Sequence, residues 1–181
     1  MPRYIAFLRA INVGGHTVKM DRLREIFESL GCANVETFIA SGNVVFETTA
    51  GDTAALETRI AAALQEALGY AVATFIRTEA ELARTAAYEA FPPSQLDAAQ
   101  ALNIAFLAGP LDAESVRKLM ALKTEIDDFA THEREIYWLC RKKQSESTFS
   151  NAVLEKTLSR QATLRGANTV QKMAARYATS N

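Results

Sequence analysis

The apolar run Tyr4 to Leu8 predicts a buried strand. From Met20 onward Leu23, Ile26, Phe27 and Leu30 recur at helical spacing, and Gly31 ends that helix as a C-terminal cap. VETFIA (35–40) and VVFET (44–48) flank Ser41-Gly42-Asn43, a turn whose Gly and Asn tolerate positive φ, so the pair predicts a hairpin. Residues 53–68 place Leu56, Ile60, Leu64 and Leu68 on one helical face before Gly69, and YAVATFIRT (70–78) returns to a strand pattern. The first half is therefore expected to be βαββαβ.

Thr78 with Glu81 has the form of a capping box and opens a helix carrying Leu82, Ala83, Ala86 and Ala87 on one side, which Phe91-Pro92-Pro93 stops. A linker is expected to follow. Alternation resumes with ALNIAFLAG (101–109), a helix from Asp112 carrying Val116, Leu119 and Met120, and then EIDDFATH and EIYWLC on either side of a turn at Glu133 and Arg134. A helix over 148–158 completes βαββα, and an extra helix over 168–177 stands where the first half has its last strand. The expectation is an α+β protein of two ferredoxin-like βαββα(β) subdomains packed together, with an extra C-terminal helix. The boundaries are a first subdomain over 1–78, a helix and Pro-containing linker over 79–100, and a second subdomain with the terminal helix over 101–181. One larger mixed sheet would give the same element string; Pro92-Pro93 favours two units. No residue-level repeat between the halves is expected. In this layout residues 4–8 form an interior strand paired with 44–48.

Composition narrows the class. A chain of 181 residues, 49% hydrophobic and 23% charged, can bury one substantial core or two small ones. No apolar run approaches the roughly 18 residues of a membrane span, and the N-terminus enters a strand pattern at once, so a cytoplasmic protein without membrane contact is expected. Cys32 and Cys140 lack metal-ligand spacing and read as reduced packing residues; no metal or cofactor is expected. The net charge of −1 hides a segregation: residues 1–24 carry +4, residues 141–181 carry +6, and the middle carries −11. If the basic ends meet they would attract phosphate or carboxylate; the other reading is solvated helix faces.

Three stretches carry candidate chemistry. RAINVGGHTVKM (9–20) follows the first strand, contains no acid, and leads to a helix N-terminus, where backbone N–H groups and the helix dipole favour an anion. It lacks both nucleotide-loop spacings, and a glycine-rich turn with a surface Lys19 is the plain alternative. Ser41-Gly42-Asn43 could hydrogen-bond a ligand, although it is first a good turn. In TLRGANTVQK (163–172), Asn168 with Gln171 fits an N-cap arrangement, whereas Arg165 has no evident structural duty and a guanidinium suited to oxyanions.

Together these stretches resemble a known family. FLRAINVGGHTVKMDRLREIFESLGCANVETFIASGNVVF is similar to the opening signature of the uncharacterised family called domain of unknown function (DUF) 1697, and ATLRGANTVQKM resembles its closing T-x-R-N-x-N-T-V pattern. By position the resemblance singles out Arg9, Asn12, Gly14, Gly15, Lys19, Ser41, Gly42, Asn43, Thr163, Arg165, Asn168 and Thr169. Ala10 stands where the family pattern has Gly, and Gly166-Ala167 replaces an Asn followed by an aromatic, which removes any stacking from that ring. The resemblance implies an α/β fold and no assigned reaction.

Three function classes remain open. A site for a small anionic molecule would use Arg9, Asn12, Gly14, Gly15, Lys19, Ser41, Asn43, Arg165, Asn168 and Thr169, and would require Arg165 to approach the 12–19 loop. These stretches supply no carboxylate pair and no nucleophile with its base, and His16 is the one group among them titrating near neutrality, so whether the protein is an enzyme is left open. Nucleic-acid binding would use the basic ends, but Val44, Val45 and Phe46 do not match an RNA-recognition strand. A protein-interaction module is the third class.

Overall fold

Strand β1 (Arg3–Leu8) is where the first sheet is organised, because neither of its faces reaches water: Ile5, Ala6, Phe7 and Leu8 are at most 1% exposed. The computed structural model describes residues 1–9, 18–39, 42–49 and 51–178. The first half continues with α1 (Met20–Ser29), β2 (Ala33–Thr37), β3 (Asn43–Glu47), α2 (Thr53–Leu68), β4 (Thr74–Thr78) and α3 (Glu79–Ala87). The strands form one antiparallel sheet in the order β2-β3-β1-β4, with Ile5 opposite Val45 on one side and Arg77 on the other. Residues 4–8 are thus interior and paired with β3, as expected of a ferredoxin-like unit.

Tyr4, Ala6, Leu8, Val44, Phe46 and Ile76 face α1 and α2, where they pack with Leu23, Ile26, Phe27, Leu56, Ile60 and Leu64. The helix ends follow local chemistry. Asp52 accepts the backbone N–H groups of Ala54 and Ala55 at the start of α2, and Gly69 at its end has φ of 83°, which glycine adopts without a Cβ penalty. The capping box forms: Glu81 N–H donates to Thr78 Oγ1 at 3.1 Å and Thr78 N–H donates to the Glu81 carboxylate at 2.9 Å.

The second half contains α4 (Pro93–Ala98), β5 (Ala101–Phe106), α5 (Ala113–Met120), β6 (Asp127–His132), β7 (Glu135–Cys140), α6 (Asn151–Leu158), β8 (Thr163–Gly166) and α7 (Ala167–Tyr177). Its sheet order is β6-β7-β5-β8, the same antiparallel topology. Two expectations are corrected. The stretch expected as a linker contains α4, started by Pro93 at its first position; no residue of this helix is buried, so it left no apolar periodicity to read. The second half also has its fourth strand. β8 is only four residues long, runs straight into α7 and alternates poorly, yet it pairs with β5 from Phe106–Thr163 to Asn103–Gly166.

The chain divides into two compact units, residues 1–84 with 172–181 and residues 85–171, so the boundary falls within α7. Each unit buries its own core; that of the second gathers Ala105, Leu107, Leu119, Phe129, Ile136, Trp138, Phe149 and Leu154. Asp127, 1% exposed, anchors this core by accepting from Trp138 Nε1 at 2.8 Å, Ser147 Oγ at 2.7 Å and Thr124 Oγ1 at 3.2 Å. Cys32 and Cys140 are both free and buried, and burial pushes both thiols up, in keeping with packing roles.

The strand register gives meaning to a four-residue repeat between the halves, where none was expected. Ile5-Ala6-Phe7-Leu8 and Ile104-Ala105-Phe106-Leu107 are identical and sit at the same place in the two central strands. Ile5 lies opposite Arg77 and Ile104 opposite Arg165, so each unit carries an arginine at the same point of its edge strand. Cross-strand partners share a face, and for both arginines it is the face opposite the core helices. Arg77 is 0% exposed; its guanidinium donates to Ile76 O at 3.0 Å and lies 4.0 Å from Glu57. Glu57 also accepts the edge N–H of Ile76 at 2.8 Å. Arg165 is half-buried and donates to Thr163 Oγ1 at 2.7 Å and Leu164 O at 2.8 Å.

These placements order three substitutions. Arg77→Ala removes a fully buried guanidinium and leaves Glu57, 12% exposed, without its cation, and is expected to cost about 3–5 kcal/mol. Arg165→Ala loses charge-assisted hydrogen bonds in a less buried setting, and about 1.5–3 kcal/mol is expected. Asn168→Ala, at an exposed position of α7, should change stability by less than about 0.5 kcal/mol. Urea unfolding of the three variants checks the order; an Asn168 variant less stable than the Arg165 variant would contradict it.

Candidate functional site

At the carboxyl end of β1 the first unit brings several chain segments together. Leu8 N–H donates to Gly42 O at 2.8 Å, and Arg9 N–H donates to Ala73 O at 2.9 Å. The root of the 9–20 stretch therefore lies between the hairpin turn and the residue preceding β4. Gly42 has φ of 104°, a conformation that glycine supplies without strain. Thr37 Oγ1, at the end of β2, donates to Met20 Sδ at 3.2 Å and ties the hairpin to the start of α1. Lys19 is exposed and occupies the N-cap position of α1 with no side-chain capping bond, while Arg9 is half-buried.

Asn43 has a structural task at this end. Its side-chain amide donates to Phe38 O at 3.1 Å, Phe38 N–H donates to Asn43 O at 3.0 Å, and the residue is 3% exposed. It clasps the hairpin. Asn12, Gly14, Gly15 and Ser41 lie outside the described residues.

The 163–169 stretch belongs to the second unit, whereas Arg9, Lys19 and Asn43 belong to the first. Arg165 has a duty after all: it stands in β8 and hydrogen-bonds within that strand. Burial pushes its pKa down to about 10, which leaves the cation in place at neutral pH. Asn168 does not precede its helix as an N-cap; β8 passes into α7 at Ala167, and Asn168 is an exposed residue of the first turn, next to half-buried Thr169. The Asn168-Gln171 spacing is that of a capping box, but the strand-to-helix junction lies nearer the N-terminus and leaves it without that use.

Several basic residues of the chain ends sit beside acids. Arg3 lies 3.6 Å from Glu47 and 3.7 Å from Glu79, Arg24 lies 3.6 Å from Asp21, and Arg176 lies 3.8 Å from Glu36. Such pairs shorten the reach of the positive field. An RNA-recognition sheet also needs one open face. Here Ile5, Phe7, Val45 and Phe75 are at most 3% exposed on the face away from the core helices, and Ile104, Phe106, Tyr137 and Leu139 are at most 2% exposed in the second unit.

Sequence reading missed the buried polar groups. Asp127 appeared only as part of a strand, and Asn103, 8% exposed within the apolar ALNIAFL run, was passed over. An amide inside such a run was the available signal, since buried polar groups need partners. His132 was also missed; its ring stacks on Tyr88 with centroids 3.9 Å apart. Among the described residues no group of three or more His, Cys, Asp or Glu is placed to hold a metal ion, and no helix is long and apolar enough to cross a membrane.

Comparison with known proteins bears on the fold and the family. A conserved bacterial protein from Streptococcus pneumoniae has a solved structure that superposes with a TM-score of 0.76 at 23% sequence identity, covering 96% of this chain and 97% of that one. The shared fold is the extent of that likeness. No curated protein matches the sequence. The family model described as "Protein of unknown function (DUF1697)" matches residues 1–137, about three quarters of the chain, and the chain belongs to that family.

Proposed function

We propose that the protein binds a small phosphate- or carboxylate-bearing molecule at the carboxyl end of β1 in its first unit. The observation that carries this reading is the pair of backbone bonds from Leu8 to Gly42 and from Arg9 to Ala73, which anchors two of the sequence-selected stretches at one end of one sheet. Around those anchors the sequence supplies Arg9, Asn12, Gly14, Gly15, Lys19 and Ser41, and no acid between Arg9 and Met20. One anion needs several converging donors to compete with water, and cations, amides and close-approaching glycine backbone are those donors. Asn43 contributes by holding the hairpin closed rather than by touching the ligand. This is the chemistry of binding, and no reaction is assigned to it.

Thermal unfolding of the full chain with phosphate, nucleoside phosphates, sugar phosphates and small carboxylates tests the proposal, because a ligand that binds the native state at 100 times its Kd stabilises it by about 2.7 kcal/mol. At least one anion is expected to raise Tm. Arg9→Ala is expected to weaken that binding by about 1.5–3 kcal/mol while leaving the circular dichroism spectrum unchanged. Lys19→Ala, at an exposed site, should weaken it less. A screen in which no anion raises Tm, or an Arg9 variant that binds as tightly as the parent, would overturn the reading.

A further inference from the structure

The second unit carries an unused donor of its own. Asn103 lies on β5 opposite Gly166, on the side of the strand shared with Ala105 and Leu107, and is 8% exposed. Among the described residues its Nδ2 has no hydrogen-bond partner. An amide nitrogen buried in that state carries an uncompensated desolvation cost, which a bound acceptor would relieve.

Asn103 lines an open depression of about 430 Å3 with Gln100, Gly166, Asn168, Gln171 and the apolar surface of Ala99. The depression lies at the point where β8 becomes α7, an eleven-residue helix whose first-turn N–H groups have no intrahelical acceptors. There is room above the junction, since a Cβ added to Gly166 would meet nothing within 4 Å. Among the described residues none that lines it is charged. The donors are therefore neutral amides and a helix N-terminus, a set suited to one negative charge, whereas a phosphate dianion calls for cations.

We propose that this depression binds a small carboxylic acid bearing an amide, of the size of an acylated amino acid. Its carboxylate sits on the first turn of α7 and within reach of Asn103, while Gln100, Asn168 and Gln171 exchange hydrogen bonds with its amide. The residues that line it all belong to the second unit, and none of them belongs to the anion site proposed for the first.

Titration of the full 15N-labelled chain with N-acetylglycine, followed by NMR, tests the proposal. Saturable shifts are expected in the Asn103 side-chain amide and in the backbone amides of residues 167–169, and N-acetylglycinamide, which lacks the charge, should bind at least tenfold more weakly. Asn168→Asp places a competing carboxylate at an exposed position where it also favours the helix, so the variant should fold and lose at least tenfold in affinity. Arg9→Ala should leave this binding unchanged, which separates the two sites. Equal affinity for the acid and the neutral amide, an unmoved Asn103 side chain, or an Asn168→Asp variant that binds like the parent would each overturn the proposal.

Discussion

The structure of each unit depends on a central strand with no face exposed to water. In β1 the run Ile5 to Leu8 and in the second unit the run Ile104 to Leu107 are buried throughout, at no more than 2% exposure. Burying an apolar side chain of this size contributes about 1.5–3 kcal/mol, but it also takes the strand's backbone out of water, so both strand edges must be paired. Antiparallel neighbours on each side meet that demand in both sheets. One consequence is that polar ligand chemistry is pushed to the strand ends and to the loops that leave them.

The same constraint explains the two arginines. A cation on the face away from the core helices, opposite Ile5 or Ile104, cannot reach water freely, and must find acceptors within the protein. Arg77 uses Ile76 O with Glu57 nearby, and Arg165 uses Thr163 Oγ1 and Leu164 O. Both edge strands also hand a backbone N–H to a glutamate from the preceding helix: Ile76 to Glu57, and Ala162, just before β8, to Glu155 at 3.0 Å. Each edge is thereby partly blunted against pairing with another chain. Two units that share a topology, a tetrapeptide and this edge arrangement are built to one plan.

What the sequence disclosed follows the range over which each signal acts. Leu23, Ile26 and Phe27 announced α1 because helical periodicity is local, and Thr78 with Glu81 announced α3 because a capping box spans four residues. The pairing of 4–8 with 44–48 was legible from element order, since a ferredoxin-like unit has few ways to close. β8 was not legible, because TLRG takes its strand character from β5, at least 57 residues distant in the chain, rather than from its own alternation. Arg165 looked available for a ligand for the same reason: arginine is ordinarily exposed, and only the register places it beside Ile104. Asn43 was read as a turn residue but opens β3, and its amide's bond to Phe38 O depends on tertiary placement. The IAFL repeat lay in plain view and carried no meaning until both runs proved to be central strands.

Anion binding at the carboxyl end of β1, as proposed above, is open to direct observation. Crystals of the full chain soaked with tungstate, a heavy tetrahedral oxyanion, address it directly through anomalous scattering. An anomalous peak is expected beside Arg9 and the Gly42 turn, lost when excess phosphate competes. A map with no peak at that end of the sheet, or one that phosphate leaves undiminished, would contradict the proposal.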